Sequence, residues 1–150
     1  MLGQLNDTQI ELLLTAQVTG HLACQQDGIP YIVPINYVYR KGAIYAHSGP
    51  GKKIDIMRRN PAVCFEVDDI TSVFRWRSVI VQGIFEELTD IAEKENAMQA
   101  IIHRIMPMAD SPAAHPSHGI TENEYAIGTD IDLIVYKINI ISKTGKFEQA

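Results

Sequence analysis

The 150-residue chain has only two cysteines, Cys24 and Cys64, and one tryptophan, Trp76. The cysteines lie forty positions apart with no C-x-x-C pair, which argues against a disulfide scaffold and for reduced core thiols. Basic residues are in deficit: 13 Lys and Arg against 18 Asp and Glu give a formal charge of −5. That balance excludes whole-domain attraction to nucleic acid or an anionic membrane, so any phosphate site must be local. No apolar run approaches a membrane span. The start, MLGQLNDTQIELLLTAQ, lacks the basic region of a secretory signal, so the expected location is cytoplasmic. Neither a Walker A loop nor an H-E-x-x-H pair is present.

What is there is globular. Hydrophobic residues at 46% and charged residues at 21% can fill one core, and a chain of this length buries roughly 70% of its unfolded surface. One domain over residues 1–150 is the expectation. Helical spacing of Ile10, Leu13 and Leu14 predicts an opening helix, with Asn6, Asp7 and Thr8 as capping oxygens and Thr8 with Glu11 as a capping box.

The period then changes to two. His21–Gln25 ends at Asp27-Gly28, and Pro30–Arg40 alternates Tyr31, Val33, Ile35, Tyr37 and Tyr39 against Ile32, Pro34, Asn36 and Val38. With few charges on either side, this run is expected to be a strand covered on both faces. Pro34 cannot donate to a ladder, which points to an edge, a bulge or an approaching ligand. Lys41-Gly42 turns the chain into Ala43–His47. Further strands are expected over Ala62–Val67, Ser78–Leu88 and Leu133–Ile141, with DDITSVFRWR as a polar loop or hairpin and Gly83 as a bulge or close approach. Helices follow SGPGKK and, capped by Thr89 and Asp90, carry the stripe Met98, Ile101, Ile102 and Ile105. Six strands and three helices, joined largely by hairpins, predict a mainly β antiparallel barrel.

The segment His47-Ser48-Gly49-Pro50-Gly51-Lys52-Lys53 carries the most chemistry. Small residues, backbone N–H groups and cations at a helix start suit a phosphate monoester. A solvated turn with surface lysines fits the same residues. His47 and Ser48 point to opposite faces of a strand, which removes a nucleophile–base reading. Histidines 103, 115 and 118 could enter a metal or haem site, or pin a proline-rich loop over 107–120. Arg75-Trp76-Arg77 is a strand-end tryptophan or a wall for a planar ring.

The run IPYIVPINYVYRKGAIYAHSGPGKKIDIMRRNPAVCFEVD, followed by WRSVIVQGIFEEL, resembles the pyridoxamine phosphate oxidase-like split-barrel flavoproteins, in the nitroimidazole-resistance branch. The resemblance covers residues 6 to 90 and the closing Thr144-Gly145-Lys146. It implies a six-stranded split barrel and a homodimer with FMN at the interface. It places Val33, Pro34, Ile35 and Asn36 beside the isoalloxazine ring, and His47, Ser48, Lys52 and Lys53 at the phosphate. Lys52 stands where relatives have arginine, which keeps the charge but loses a bidentate fork. Ser78 stands where the oxidase branch has glutamine, a shorter donor toward the flavin. The C-terminal arginine, proline and tryptophan signature of the true oxidases is missing, so oxidation of pyridoxamine phosphate is not expected. An FMN-dependent oxidoreductase acting on a small, nitroaromatic substrate is the leading reading. A flavin storage or sensing module and a haem-binding protein on the same fold are the alternatives.

Overall fold

Two β-hairpins built on left-handed turns set the first half of the architecture. The computed structural model describes residues 1–108 and 133–150. In chain order the elements are β1 (Leu2–Gln4), α1 (Asp7–Ala16), β2 (Thr19–Gln26), β3 (Ile29–Asn36), β4 (Val38–Arg40), β5 (Ala43–Ser48), α2 (Lys52–Arg59), β6 (Ala62–Ser72), β7 (Arg75–Glu87), α3 (Ile91–Ile105) and β8 (Ile134–Gln149). Asp27 and Gly28 have φ of 54° and 76°, and Lys41 and Gly42 have 51° and 69°. Positive φ at both central residues matches the right-handed twist of the strands they join, β2 to β3 and β4 to β5.

The strands form one antiparallel sheet in the order β3-β2-β6-β7-β8-β5-β4, with β1 added to the far end of β8. The sheet curls so that inner residues of both ends, Cys24 and Ile35 near one edge and Ile44 and Ala46 near the other, share a core with Phe65, Val79, Val81 and Tyr136. Helix α1 adds Ile10, Leu13 and Leu14 to that core, and Tyr37 donates its hydroxyl to the Leu14 carbonyl at 2.7 Å. Burying each such aliphatic side chain contributes roughly 1.5–3 kcal/mol. A second cluster forms where Ala97, Met98 and Ile101 of α3 meet Leu88, Leu133 and Val135.

The architecture is mainly antiparallel β with three helices, as expected, but it has eight strands rather than six. The run from Pro30 to Arg40 breaks at Tyr37, whose N–H bonds the Val18 carbonyl, so it yields both β3 and β4. The three residues of β1 find their partner at the opposite end of the chain. The closing strand does not stop at Ile141 but continues to Gln149, and DDITSVFRWR becomes the facing ends of β6 and β7 around Val73 and Phe74.

Three further expectations are corrected. The capping box of α1 is Asn6 with Gln9, each side chain bonding the other's backbone N–H, and not Thr8 with Glu11. Strand β3 is covered on one face only: Tyr31, Val33 and Ile35 turn to the core, while Ile32, Pro34 and Asn36 are exposed. Cys24 is a core thiol, whereas Cys64 is half-buried on the opposite face of the sheet. Gly83 serves both expected purposes, since the β7–β8 register shifts there and an added Cβ would lie 2.5 Å from Ile138 Cγ2 and 2.7 Å from the Asn139 carbonyl oxygen.

Among the described residues, no helix is long and apolar enough to cross a membrane. No group of three His, Cys, Asp or Glu side chains is placed there to hold a metal ion. His115 and His118, with most of the proline-rich loop, lie outside the described residues.

Candidate functional site

The site is built on an open strand edge. Strand β3 ends the sheet, pairing only with β2. Pro30 and Pro34 occupy the same alternate set of positions, facing Gln25 and His21. Proline has no N–H, so it fits where that direction points away from the neighbouring strand. The even-numbered residues of β3 therefore turn their polar backbone groups to the open edge, where Ile32 and Asn36 offer N–H donors and residues 30, 32, 34 and 36 offer carbonyls. Asn36 is anchored in turn, its side-chain oxygen accepting from Thr19 Oγ1 at 2.8 Å. The prolines also blunt the edge against pairing with another strand.

Alternation divides the predicted ring-side residues. Val33 and Ile35 face the core, and Pro34 and Asn36 face outward. A planar ligand lying in the strand's plane at this edge meets their backbone rather than one shared side-chain surface.

At the other border of the split, the β4–β5 register ends at Tyr45, while Ala46, His47 and Ser48 continue β5 along β8 opposite Tyr136, Val135 and Ile134. Ser48 lies on the side of Ala46 and donates to the Gly49 carbonyl at 2.7 Å. His47 lies on the side of Tyr45, which packs against the α3 cluster. The structure thus brings Ser48 toward the core side of the loop and turns the His47 ring away from it.

Helix α2 starts at Lys52 with Gly51 as N-cap and no side chain capping its first turn. Its two lysines separate. Lys52 is exposed, with Nζ 4.9 Å from the centroid of the Tyr31 ring. Lys53 is half-buried beside Cys24, and no carboxylate pairs with it among the described residues. Burial pushes the Lys53 ammonium below its ordinary range and the Cys24 thiol above its own. A half-buried cation with no counter-charge is chemically suited to an anion.

Ser78 is not part of this cluster. It lies on the outer face of β7, opposite Asp68 and Lys146, and β2 and β6 intervene between β7 and β3. Three strand spacings amount to about 14 Å. Trp76 shares that outer face, its indole N–H donating to Glu148 at 3.1 Å.

The same face carries groups that the sequence reading missed. Glu66 sits between His21 and Ile80 in the registers of β2–β6 and β6–β7. Burial, then a hydrogen bond and repulsion from Asp68, push its carboxyl up to about 7. Alternating acids at 66 and 68 in an apolar strand are a visible signal for such a pair, but only the sheet order shows which residues face them. Exposed apolar side chains share the outer surface of the sheet: Ile32 is 64% exposed, Ile80, opposite Glu66, 42% and Ile141 68%. A concavity of about 370 Å³ lies near them, bordered by Ala23, Cys64, Ile84 and Ile141.

Comparison with known proteins gives the family and the fold. Residues 6–133 match the family model described as pyridoxamine 5'-phosphate oxidase. A FAD-binding protein from Mesorhizobium loti is 30% identical, with 99% of each chain covered and a TM-score of 0.79. A Bacteroides thetaiotaomicron structure named for 5-nitroimidazole antibiotic resistance is 23% identical over 98% of this chain and 87% of its own, with a TM-score of 0.75, a likeness of fold. An uncharacterised protein of Rhizobium meliloti (strain 1021) is 46% identical over 69 residues, so that the match spans 46% of each chain. With most of its length matched by one family model, and with its sheet order and open β3 edge laid out as above, the chain belongs to the pyridoxamine 5'-phosphate oxidase family.

Proposed function

We propose that this protein is an FMN-binding oxidoreductase that works as a homodimer on a small, nitroaromatic substrate. The observation that carries the flavin reading is the half-buried Lys53, which has no carboxylate partner among the described residues and lies beside Cys24, the cross-strand partner of Tyr31 in β3. A flavin's pyrimidine edge alternates N–H and carbonyl groups, and the backbone of residues 32–36 offers the complementary set. Lys52, Lys53, Ser48 and the free N–H groups at the start of α2 suit its phosphate. When bound, the flavin supplies the electron transfer; the chain orients the ring, neutralises the phosphate and limits access. The FAD-binding Mesorhizobium loti relative supports a flavin ligand.

The distance from β3 to Ser78 supports the dimer. One ring at the β3 edge does not reach a residue about 14 Å away across the same sheet, so Ser78 would come from a second copy. The exposed Ile32, Ile80, Ile84 and Ile141 supply apolar surface for that association. Both cysteines are free, which suits a reducing cytoplasm.

Titration of the purified protein with FMN tests binding, and the expected result is saturable uptake with a shifted flavin spectrum. The loaded protein, photoreduced without oxygen, is expected to regain its oxidised spectrum on addition of a nitroimidazole. Binding without reoxidation would leave a storage module and remove the oxidoreductase part of the reading.

A further inference from the structure

Four residues on the outer face of the sheet form one row. Pro34 of β3 faces His21 of β2, His21 faces Glu66 of β6, and Glu66 faces Ile80 of β7. Cross-strand neighbours stand about 5 Å apart, which places His21 one step and Glu66 two steps inward from the open β3 edge. The row thus joins that edge to the acid pair Glu66 and Asp68, to which the proposed function gives no task.

We propose that His21 donates protons to a substrate seated over Pro34 at this edge, and that the Glu66 carboxyl replaces each proton His21 gives up. The inference rests on the flavin and nitroaromatic reading above and adds the residues that supply its protons.

The chemistry requires such a supply. Conversion of a nitro group to a nitroso group takes up two electrons and two protons, breaks one N–O bond and releases one water. The electrons come from the reduced flavin. Each proton passes from an imidazole N–H of His21 to the nitro oxygen that departs, the Glu66 carboxyl reprotonates the ring, and solvent restores Glu66. Imidazole is the commonest side chain in this role because it gains and loses protons near neutral pH.

The surroundings of Glu66 suit a proton store. Its Oε1 is buried and accepts no hydrogen bond among the described residues, and its carboxyl shares a hydrogen bond with Asp68. Burial, then Asp68, push it up to about 7, so it still holds a proton near neutral pH. The titratable side chains around it are His21 from β2 and Cys64 and Asp68 from its own strand. Strand β7 presents Ile80, flanked by Ser78 and Gln82, and Lys146 of β8 lies one strand further, opposite Ser78. Among the described residues, His21 is the proton acceptor in register with Glu66. His21 is exposed, as are Ile32 and Pro34 on β3, so an aromatic substrate finds apolar surface beside the imidazole.

The flavin-loaded protein, photoreduced without oxygen and mixed with metronidazole or with ferricyanide, tests this. Reoxidation of the wild type by metronidazole is expected to slow at least tenfold between pH 6 and 8.5, while reoxidation by ferricyanide, which takes electrons without protons, hardly changes. His21→Gln is expected to react at least tenfold more slowly with metronidazole at pH 6 and to regain rate when free imidazole is added, with ferricyanide reoxidation and flavin affinity as in the wild type. In the flavin-free protein, NMR signals of the His21 ring are expected to sense the ionisation of Glu66 as a step that Glu66→Gln removes. Wild-type rates in His21→Gln, or His21 signals that ignore Glu66→Gln, would overturn the proposal and leave the flavin reading standing. A wild type that ferricyanide reoxidises and metronidazole does not would overturn the nitroaromatic reading and the proposal with it.

Discussion

Cys24 and Tyr31 face each other across β2 and β3, and each lies beneath one of the two lysines that begin α2. This pairing ties the edge of the sheet to the only glycine-lysine segment in the candidate site. It also explains why adjacent lysines have different surroundings: one is held over an aromatic ring in the open, the other is pressed against the core beside a neutral thiol.

Removing both charges, as Lys52→Ala with Lys53→Ala, is expected to weaken FMN binding by more than tenfold. Charge-assisted contacts are worth about 1.5–3 kcal/mol each, so two of them exceed one decade of affinity. Fluorescence titration reads the loss, and an unchanged far-ultraviolet circular dichroism spectrum shows that the fold survives. Equal affinity in the double variant and the wild type would contradict the phosphate assignment.

Gly83→Ala is expected to destabilise the fold by about 1–3 kcal/mol, the usual range for overpacking a dense core. The new Cβ would meet Ile138 Cγ2 at 2.5 Å and the Asn139 backbone at 2.7 Å, and the latter cannot rotate away. Urea unfolding measures the change. A midpoint within error of the wild type would mean that the β7–β8 bulge yields without cost.

Glu66 makes stability depend on pH. Its carboxyl ordinarily titrates near 4.5, while in the fold burial and then Asp68 push it up to about 7. Below 4.5 the group is protonated whether the chain is folded or not, so it costs nothing there. Between 4.5 and 7 the unfolded chain releases the proton more readily, so stability falls as pH rises through that window. Urea midpoints from pH 4.5 to 7.5 are expected to show this decline, reduced in Glu66→Gln. Identical slopes for the two proteins would contradict it.

Ile80→Asp places a charge on the exposed apolar face and is expected to convert the proposed dimer to monomer. Because Ser78 would come from the second copy, flavin affinity should fall with it. Sedimentation velocity and flavin titration on the same samples check both, and a dimer with full affinity would contradict the placement of the interface.

Much of the fold was legible because its signals are local. Asp27-Gly28 and Lys41-Gly42 mark their hairpins by residues that tolerate positive φ, and the Met98–Ile101 stripe marks α3. What escaped depends on partners far along the chain. Three residues of β1 carry no periodicity, and only their pairing with Lys146–Glu148 makes them a strand. Asn6 and Thr8 are both good caps, and the choice between them rests on where Gln9 and Leu5 settle. For the site, Gly51-Lys52-Lys53 was readable as an anion loop. The remoteness of Ser78 was not, because it follows from sheet order. Tyr31 was hidden among alternating aromatics until Lys52 was seen above it.

In the proposed function, the open β3 edge and the two lysines of α2 hold a flavin. The most direct test is an ultraviolet-visible spectrum of the purified protein, followed by release of the bound cofactor and measurement of its mass. Flavin absorption bands and the mass of a flavin nucleotide are the expected result. A colourless protein that also fails to take up added FMN or FAD would contradict it.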